Sequence, residues 1–513
     1  MDLLNNLIYG MSVAVSLQNL GFCFLGALLG TLIGVLPGIG PLATFAILLP
    51  ISFYLPPVGA IIMLAGVYYG AQYGGSITSI LVNIPGEAST VVTCLDGHQM
   101  ALQGRAGAAL ATAALGSFFA GCVVTVFIAI AGPTLVKLAL LFGPEEYVAL
   151  LALGLVSGVL LSGGSIAKAI AMVLTGILLS LVGMDVNSGV ERFTFGMFEL
   201  SDGLGFTAVS IGLFGIAEIA SSLEDTNGKG RNIAKITSLW PTRDDFKRSW
   251  APVLRGTALG TLLGILPGGG GTIAAFGAYS LERKVSRRPG MFGRGAVEGV
   301  AGPESANNAA SQANFIPMLS LGIPPNALMA LMMGAMITHG IAPGPQVMIR
   351  QPDLFWGLIA SMWIGNLILV ILNLPLIGIW VSLLRIKYVF LFPGILVLAA
   401  IGAFAESNQV FDIYVLTGFA VLGYALKKLD FPVAPLLLGL VLGKQLDEQL
   451  RRALLLSDGD WTTFIRHPIA LGLMIFTAVL VVLIALPSLR RSRDEALQGE
   501  EGASSSASNL PAA

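Results

Sequence analysis

Apolar stretches long enough to cross a bilayer recur from one end of the chain to the other. They lie near 57–72, 106–132, 145–162, 166–184, 203–222, 325–342, 352–384, 389–404, 411–426 and 467–486. About 20 apolar residues in a helix span the hydrocarbon core, so the pattern predicts an all-α polytopic membrane protein. Two further apolar stretches, 21–56 and 251–281, are each broken in the middle by a Pro-Gly cluster. Two polar clusters interrupt the apolar pattern. One is Tyr68, Tyr69, Gln72, Tyr73, Gly74, Gly75, Ser76, Thr78, Ser79 and Asn83, ahead of Ile84-Pro85-Gly86. The other is Glu304, Ser305, Asn307, Asn308, Ser311, Gln312 and Asn314, ahead of Ile323-Pro324-Pro325.

The broken segments match each other. Gly30-Thr-Leu-Ile-Gly-Val-Leu-Pro-Gly-Ile-Gly40 reads against Gly260-Thr-Leu-Leu-Gly-Ile-Leu-Pro-Gly-Gly-Gly270, with eight of eleven positions identical. Weaker echoes follow in the same order: Tyr147-Val148 with Tyr388-Val389, Val173-Leu-Thr-Gly176 with Val415-Leu-Thr-Gly418, and Gly212 and Gly215 with Gly439 and Gly443. The chain therefore reads as a duplication. Residues 1–222 form a first membrane repeat with its hairpin at 21–56. A basic loop, 223–250, leads to a second repeat, 251–450, with its hairpin at 251–281. A C-terminal helix in 451–490 and a disordered tail, 491–513, complete the chain.

Charge gives the halves opposite orientations. No Lys or Arg precedes Arg105, whereas 229–248 and 283–294 are rich in both, and Arg490, Arg491 and Arg493 open the tail. By the positive-inside rule the early loops are periplasmic, while both basic loops and the C-terminus are cytoplasmic. The segment 251–281 would then enter and leave on one side. Two arms of about 14 residues reach roughly 21 Å each, short of a core of about 30 Å, which fits a re-entrant hairpin. Inverted repeats with paired broken helices are the architecture of secondary transporters. The alternative is that these glycines only let helices pack closely.

Composition narrows the chemistry. Charged residues are 11% of 513 and hydrophobic ones 55%, with a formal net charge of −1. That leaves no case for nucleic acid. Cys23, Cys94 and Cys122, with His98, His339 and His467, have no metal-ligand or nucleophile spacing, so no cofactor, catalytic residue or metal centre is expected. The N-terminus lacks the pattern of a removed signal peptide.

At a break, exposed backbone groups need a partner, and a helix N-terminus favours an anion. Pro37, Gly38, Gly40 and Thr44 in the first half, and Pro267, Gly268, Gly270 and Thr272 in the second, are therefore candidate substrate ligands. Tyr73, Gly74, Gly75, Ser76, Thr78, Asn83, Ser305, Asn307 and Asn308 are expected to line the same cavity. Oxygens near Asn83, Asn307 and Asn308 could hold Na⁺. Arg105 and Arg294 could reach in, and Asp96, Glu218 and Glu406 are weaker candidates for coupling or structure. An exposed inter-helix loop is the bland reading of either polar cluster.

Several motifs together resemble the TctA family, the large membrane subunit of tripartite tricarboxylate transporters. They are GVLPGIGPLATFAILLP (34–50), YYGAQYGGSITSILVNIPGEAST (68–90), DGHQMALQGRAGAAL (96–110), GILPGGGG (264–271), FGRGAVEGVAGPESANNAA (292–310), PMLSLGIP (317–324) and HGIAPGPQVM (339–348). The resemblance runs from about residue 20 to the last helix. It implies ion-gradient-driven uptake of a small citrate-like carboxylate across the bacterial inner membrane. It further implies Na⁺ or H⁺ as the coupling ion, a periplasmic solute-binding protein and a small TctB-like membrane subunit as partners, and no enzymatic activity. A channel-like or intramembrane enzymatic subunit is the alternative. One departure is Ile323-Pro324-Pro325-Asn326, where a second Pro replaces the glycine of Ile84-Pro85-Gly86 and removes an N–H.

Overall fold

A computed structural model describes residues 3–36, 41–161, 165–185, 188–224, 236, 238–266, 270–384 and 392–485. Pro37, Gly38, Gly40, Pro267 and Gly268 lie outside the described residues, as do most of the loop 225–237 and the tail 491–513. The protein is almost wholly helical. The first half contains α1 (Leu3–Ala14), α2 (Leu17–Gly34), α3 (Pro41–Ser52), α4 (Pro57–Val82), the single turn α5 (Val91–Thr93), α6 (Ala106–Ala139), α7 (Pro144–Leu161) and α8 (Ile166–Ser180). It ends with α9 (Phe206–Ser210) and α10 (Ala217–Glu224), joined by the π-helical stretch 211–216. The second half contains α11 (Arg243–Ile265), α12 (Gly271–Val285), α13 (Glu298–Ala313), α14 (Phe315–Leu321), α15 (Ala327–Thr338), α16 (Gln346–Arg350), α17 (Pro352–Asn373) and α18 (Ile377–Leu383). They are followed by α19 (Phe392–Ser407), α20 (Phe411–Lys428) and α21 (Ala434–Leu456), then α22 (Thr463–Arg466) and α23 (Pro468–Ala485). A two-residue antiparallel pair, Gly183–Met184 with Glu191–Arg192, follows α8. Among the described residues the helices of 17–34, 101–139 and 352–373 are both long and apolar enough to cross a membrane. The protein is a membrane protein.

Glycine spacing builds the packing of both halves in the same way. A Cβ at Gly26, Gly30 or Gly34 of α2 would stand 2.0–2.6 Å from the carbonyl oxygens of Met63, Val67 and Ala71 in α4. At Gly256, Gly260 and Gly264 of α11 it would stand 2.2–2.5 Å from those of Gly302, Ala306 and Ala310 in α13. Only glycine permits such backbone approach. The repeated Gly-x-x-x-Gly of the two broken segments is thus a packing code as well as a prelude to the break.

The halves also exchange partners. α6 of the first half packs on α11 and α13 of the second, while α17 of the second packs on α2 and α4 of the first. α8 packs on α21 through Gly176 and Gly439, and α20 packs on the π stretch 211–216 through Gly212. α6 and α17 meet each other where Trp363 donates to the Cys122 carbonyl at 3.2 Å.

Three elements differ from the sequence expectation. α4 runs on to Val82, through the polar cluster read as a possible loop, and Tyr68 to Leu81 are all buried. The second cluster likewise forms α13, every residue of which from Gly299 to Ala313 is buried. Buried polar helices carry no long apolar run, so hydropathy alone passes over them. α11 starts at Arg243, inside the stretch read as basic loop. A capping box initiates it: the Thr242 hydroxyl accepts from Asp245 N at 3.1 Å, and the Asp245 carboxylate from Thr242 N at 3.0 Å. Its 23 residues extend about 35 Å, against about 22 Å for α12. The hairpin arms are therefore unequal, and both exceed the stretch expected between 251 and 281 or lie at its edge.

Candidate functional site

Polar faces of α4 and α13 are brought together at the centre by the glycine contacts just described. Burial of so many amides and hydroxyls requires that they satisfy one another. Asn307 Nδ2 donates to Gln72 Oε1 at 2.8 Å and to Glu87 Oε1 at 3.2 Å. The Ser89 hydroxyl also donates to Glu87 Oε1. Asn314 Nδ2 donates to the Tyr68 hydroxyl at 3.0 Å, and the Thr125 hydroxyl to Gln312 Oε1 at 2.8 Å. Asn308 Nδ2 donates to Ser117 Oγ at 2.7 Å. Glu304 accepts from Ser76 Oγ at 2.7 Å on one oxygen and from the Thr93 hydroxyl on the other.

The helix ends that flank the two breaks meet one loop. A Cβ at Gly271, the first residue of α12, would stand 2.0 Å from Asn307 Oδ1 and 3.5 Å from Ser89 Cβ. A Cβ at Gly86 would stand 2.3 Å from Gly75 Cα and 3.2 Å from the carbonyl oxygen of Gly34, at the end of α2. The segment 86–89 therefore touches both the end of the first-half arm and the start of the second-half helix. Asn307 Oδ1 is buried and has no hydrogen-bond partner among the described residues. It faces the N-terminal end of α12, where free N–H groups concentrate.

The second-half Ile-Pro-Pro turn keeps the shape of Ile-Pro-Gly. Asn83 and Gly322 cap α4 and α14 in the left-handed region, at φ 58° and 72°. Glu87 and Asn326 are both extended, at φ −154° and −151°. Pro325 thus changes the N–H count without changing the path. Gly86 must stay small because Gly75 lies against it, and Asn326 caps α15 by accepting from Met329 N at 2.9 Å.

Of the expected ligands, Ser76, Asn307 and Asn308 belong to this buried network, and Tyr73 and Ser305 lie buried beside it with hydroxyls that have no hydrogen-bond partner among the described residues. Tyr73 and Ser76 line a cavity of about 10 Å³ with Ser117, Glu304 and Asn373. Ser305 and Asn308 turn toward α6, where a Cβ at Gly116 would stand 2.7 Å from Ser305 Oγ. The Thr78 hydroxyl donates to the Gly75 carbonyl at 2.9 Å. A Cβ at Gly74 would meet α2, 2.7 Å from the Thr31 carbonyl oxygen, so Gly74 serves packing. Gly270 precedes α12 with open space around it, Thr272 is half-buried on the first turn, and Thr44 is buried in α3. Asn83 is a helix cap away from Asn307 and Asn308 in the hydrogen-bond network. A cavity of this size holds about one water, so a carboxylate would enter only if the helices part.

The remaining candidates have structural partners. Arg105 pairs with Asp245 at 2.5 Å and Glu218 with Lys427 at 2.8 Å. The Glu406 side chain is outside the described residues. Asp96 accepts from the backbone N–H groups of Gly293, Gly295 and Ala296 at 2.8–2.9 Å and from the Tyr279 hydroxyl at 3.0 Å. It thereby ties the first half to the loop ahead of α13. Sequence reasoning missed Glu87 as a centre of the network and set Glu304 only among amides. The available signal was an acid in mid-helix, among Gly, Ala, Ser, Asn and Gln, a turn and a half beyond Glu298 at the helix start.

Residues 20–438 match the family model described as the tripartite tricarboxylate transporter TctA family. Over 501 residues the chain is 54% identical to an uncharacterized 52.8 kDa protein in the TAR-I ttuC' 3' region of Agrobacterium vitis, covering 98% of this chain and 100% of that protein. It is 56% identical over 236 residues to an uncharacterized protein in the TAR-II ttuC' 3' region of the same organism, covering 46% of this chain and 98% of that one. No solved structure matches. The chain belongs to the TctA family of tripartite tricarboxylate transporters.

Proposed function

We propose that the chain is the large permease subunit that carries a small citrate-like carboxylate inward across the bacterial inner membrane, driven by an ion gradient. It works with a periplasmic solute-binding protein and a small TctB-like membrane subunit, and its C-terminus is cytoplasmic. The observation that carries this reading is the approach of the end of α2 and the start of α12 to the 86–89 loop, with Asn307 Oδ1 facing the start of α12. There the positive end of α12, with its free N–H groups, suits a carboxylate. The exchanged packing of α6 with α11 and α13, and of α17 with α2 and α4, supports two halves related by a two-fold axis. The absence of basic residues before Arg105 supports an in-plane direction for that axis, and with it inverted repeats.

No Lys or Arg side chain enters the described network, so the site is weakly armed with charge and depends on delivery of substrate. The test is uptake of labelled tricarboxylates and dicarboxylates by proteoliposomes containing the two membrane subunits, with and without the binding protein. Saturable, gradient-dependent uptake that requires the binding protein is expected. Efficient uptake by this chain alone would refute the tripartite reading.

A further inference from the structure

Glu304 is 2% exposed and sits in the middle of α13. Its carboxylate contacts hydroxyls alone, Ser76 and Thr93. The neighbouring acid on the same helix, Glu298, is held by Arg248 at 2.7 Å, but no described ion pair reaches Glu304. An unpaired buried charge costs several kcal/mol, on the order of what would unfold many domains, unless it is neutralised. The two hydroxyls carry no charge, and a proton on the carboxyl would neutralise it.

The surroundings accommodate both protonation states. Ser76 Oγ lies 2.7 Å from Glu304 Oε2 and 3.2 Å from the Gln72 carbonyl oxygen. With the carboxylate charged, the Ser76 O–H points at Glu304. With the carboxyl protonated, its O–H donates to Ser76 Oγ, and the serine proton turns to the Gln72 carbonyl. No heavy atom has to move. Beside the carboxyl lies the cavity of about 10 Å³, also lined by Tyr73 and Asn373. These two are 4% and 3% exposed, and neither the Tyr73 hydroxyl nor Asn373 Oδ1 has a partner among the described residues. Ile77, Leu110, Ala113 and Ala114 complete the lining, so the carboxyl borders a small, mainly apolar space with room for about one water.

We propose that Glu304 is the proton-coupling group of this transporter, protonated together with substrate loading and deprotonated on release. This deepens the transport reading and rests on it. The other titratable groups facing Glu304 are Tyr73 from α4, Cys94 after α5 and Glu87 ahead of it. Tyr73 and Cys94 are weak acids rather than bases, and Glu87, the other carboxylate among them, is held by the Asn307 amide at 3.2 Å and by the Ser89 hydroxyl. α6 offers only Ser117 here, while α11 and α12 meet the opposite face of α13, where Arg255 and Glu282 pair at 2.6 Å beside Gly302. Each turnover moves one H⁺ with the substrate and breaks no covalent bond other than the acid's own O–H.

The test uses the complex of both membrane subunits with the binding protein, reconstituted in liposomes. Glu304→Gln keeps both hydroxyl contacts and removes the titration. In the wild type, an inside-alkaline pH gradient drives accumulation without Na⁺, and substrate addition acidifies the lumen. In Glu304→Gln both are lost, while an unchanged melting temperature in detergent shows that the complex still folds and assembles. A second readout needs no transport: infrared difference spectra between alkaline and acid pH show a buried carboxylic C=O band that Glu304→Gln removes and Ser76→Ala shifts. Proton-coupled accumulation surviving in Glu304→Gln, or Na⁺-dependent accumulation without lumen acidification in the wild type, overturns the proposal. Absence of any carboxylate uptake in the wild type overturns the transport reading instead, and the infrared band still decides whether Glu304 titrates.

Discussion

Gly270 and Gly271 stand side by side at the start of α12, and a methyl group added to each meets opposite fates. At Gly270 nothing lies within 4 Å of the added Cβ, so Gly270→Ala is a change of N-cap residue, about 1 kcal/mol or less. At Gly271 the Cβ would stand 2.0 Å from Asn307 Oδ1, so the asparagine must rotate away. Rotation gives up its bonds to Gln72 at 2.8 Å and to Glu87 at 3.2 Å. A neutral bond contributes about 0.5–1.5 kcal/mol and one to a charged group about 1.5–3, so the sum is about 2–4.5 kcal/mol. With a factor of ten for every 1.4 kcal/mol, uptake limited by this alignment falls by about thirtyfold to a thousandfold or more. The assay is initial uptake of labelled tricarboxylate normalised to membrane-inserted protein, with Gly270→Ala as the matched control. Equal normalised rates in the two variants would remove Asn307 and the α12 terminus from the transport path.

Asp96→Ala leaves the N–H groups of Gly293, Gly295 and Ala296 without their acceptor, a destabilisation of about 3–5 kcal/mol, whereas Asp96→Asn retains an oxygen and costs less. Thermal unfolding in detergent ranks the two, and equal melting temperatures would contradict the anchoring role. Burial raises the Asp245 carboxyl, but hydrogen bonds from Thr242 and the Arg105 guanidinium outweigh it, so its pKa is lowered in the folded protein. The stability it contributes is therefore full above the ordinary carboxylate range and lost as pH falls below about 4. Arg105→Gln should flatten that acid limb of the melting profile, and an unchanged limb would show that the pair contributes nothing. Cysteines replacing the exposed Leu17 and Tyr54 should react only with periplasmic maleimide, and those replacing Trp240 and Arg288 only with cytoplasmic reagent. Labelling of Tyr54→Cys and Arg288→Cys from one side refutes the inverted orientation.

The long apolar helices were legible because periodicity and length speak for themselves, as in α17 and α20. The internal repeat was legible because Gly-x-x-x-Gly before Leu-Pro-Gly sits at corresponding places, and the structure gives those glycines matched carbonyl partners. α13 was not legible as a buried helix. Its environment is polar because α4 and α6 supply matching hydroxyls and amides, and that matching lies 180 to 240 residues away in sequence. For the same reason Asn307, Asn308 and Ser76 were picked out by type, while their faces were not. Which one meets the α12 terminus depends on helix rotation, which a sequence pattern of Gly, Ala and Asn leaves free.

The exchange of helices between halves bears on how the protein is made. α8, α9 and α10 leave the ribosome long before α20 and α21, the helices they pack on through Gly176 and Gly212. Until then their small-residue faces have only lipid or insertion machinery for company. Neither half is a self-sufficient folding unit, and a fragment ending after α10 should be degraded when expressed alone. The same fragment should be rescued by co-expression of the remainder, so the chain can be cut between its halves without being functionally divisible.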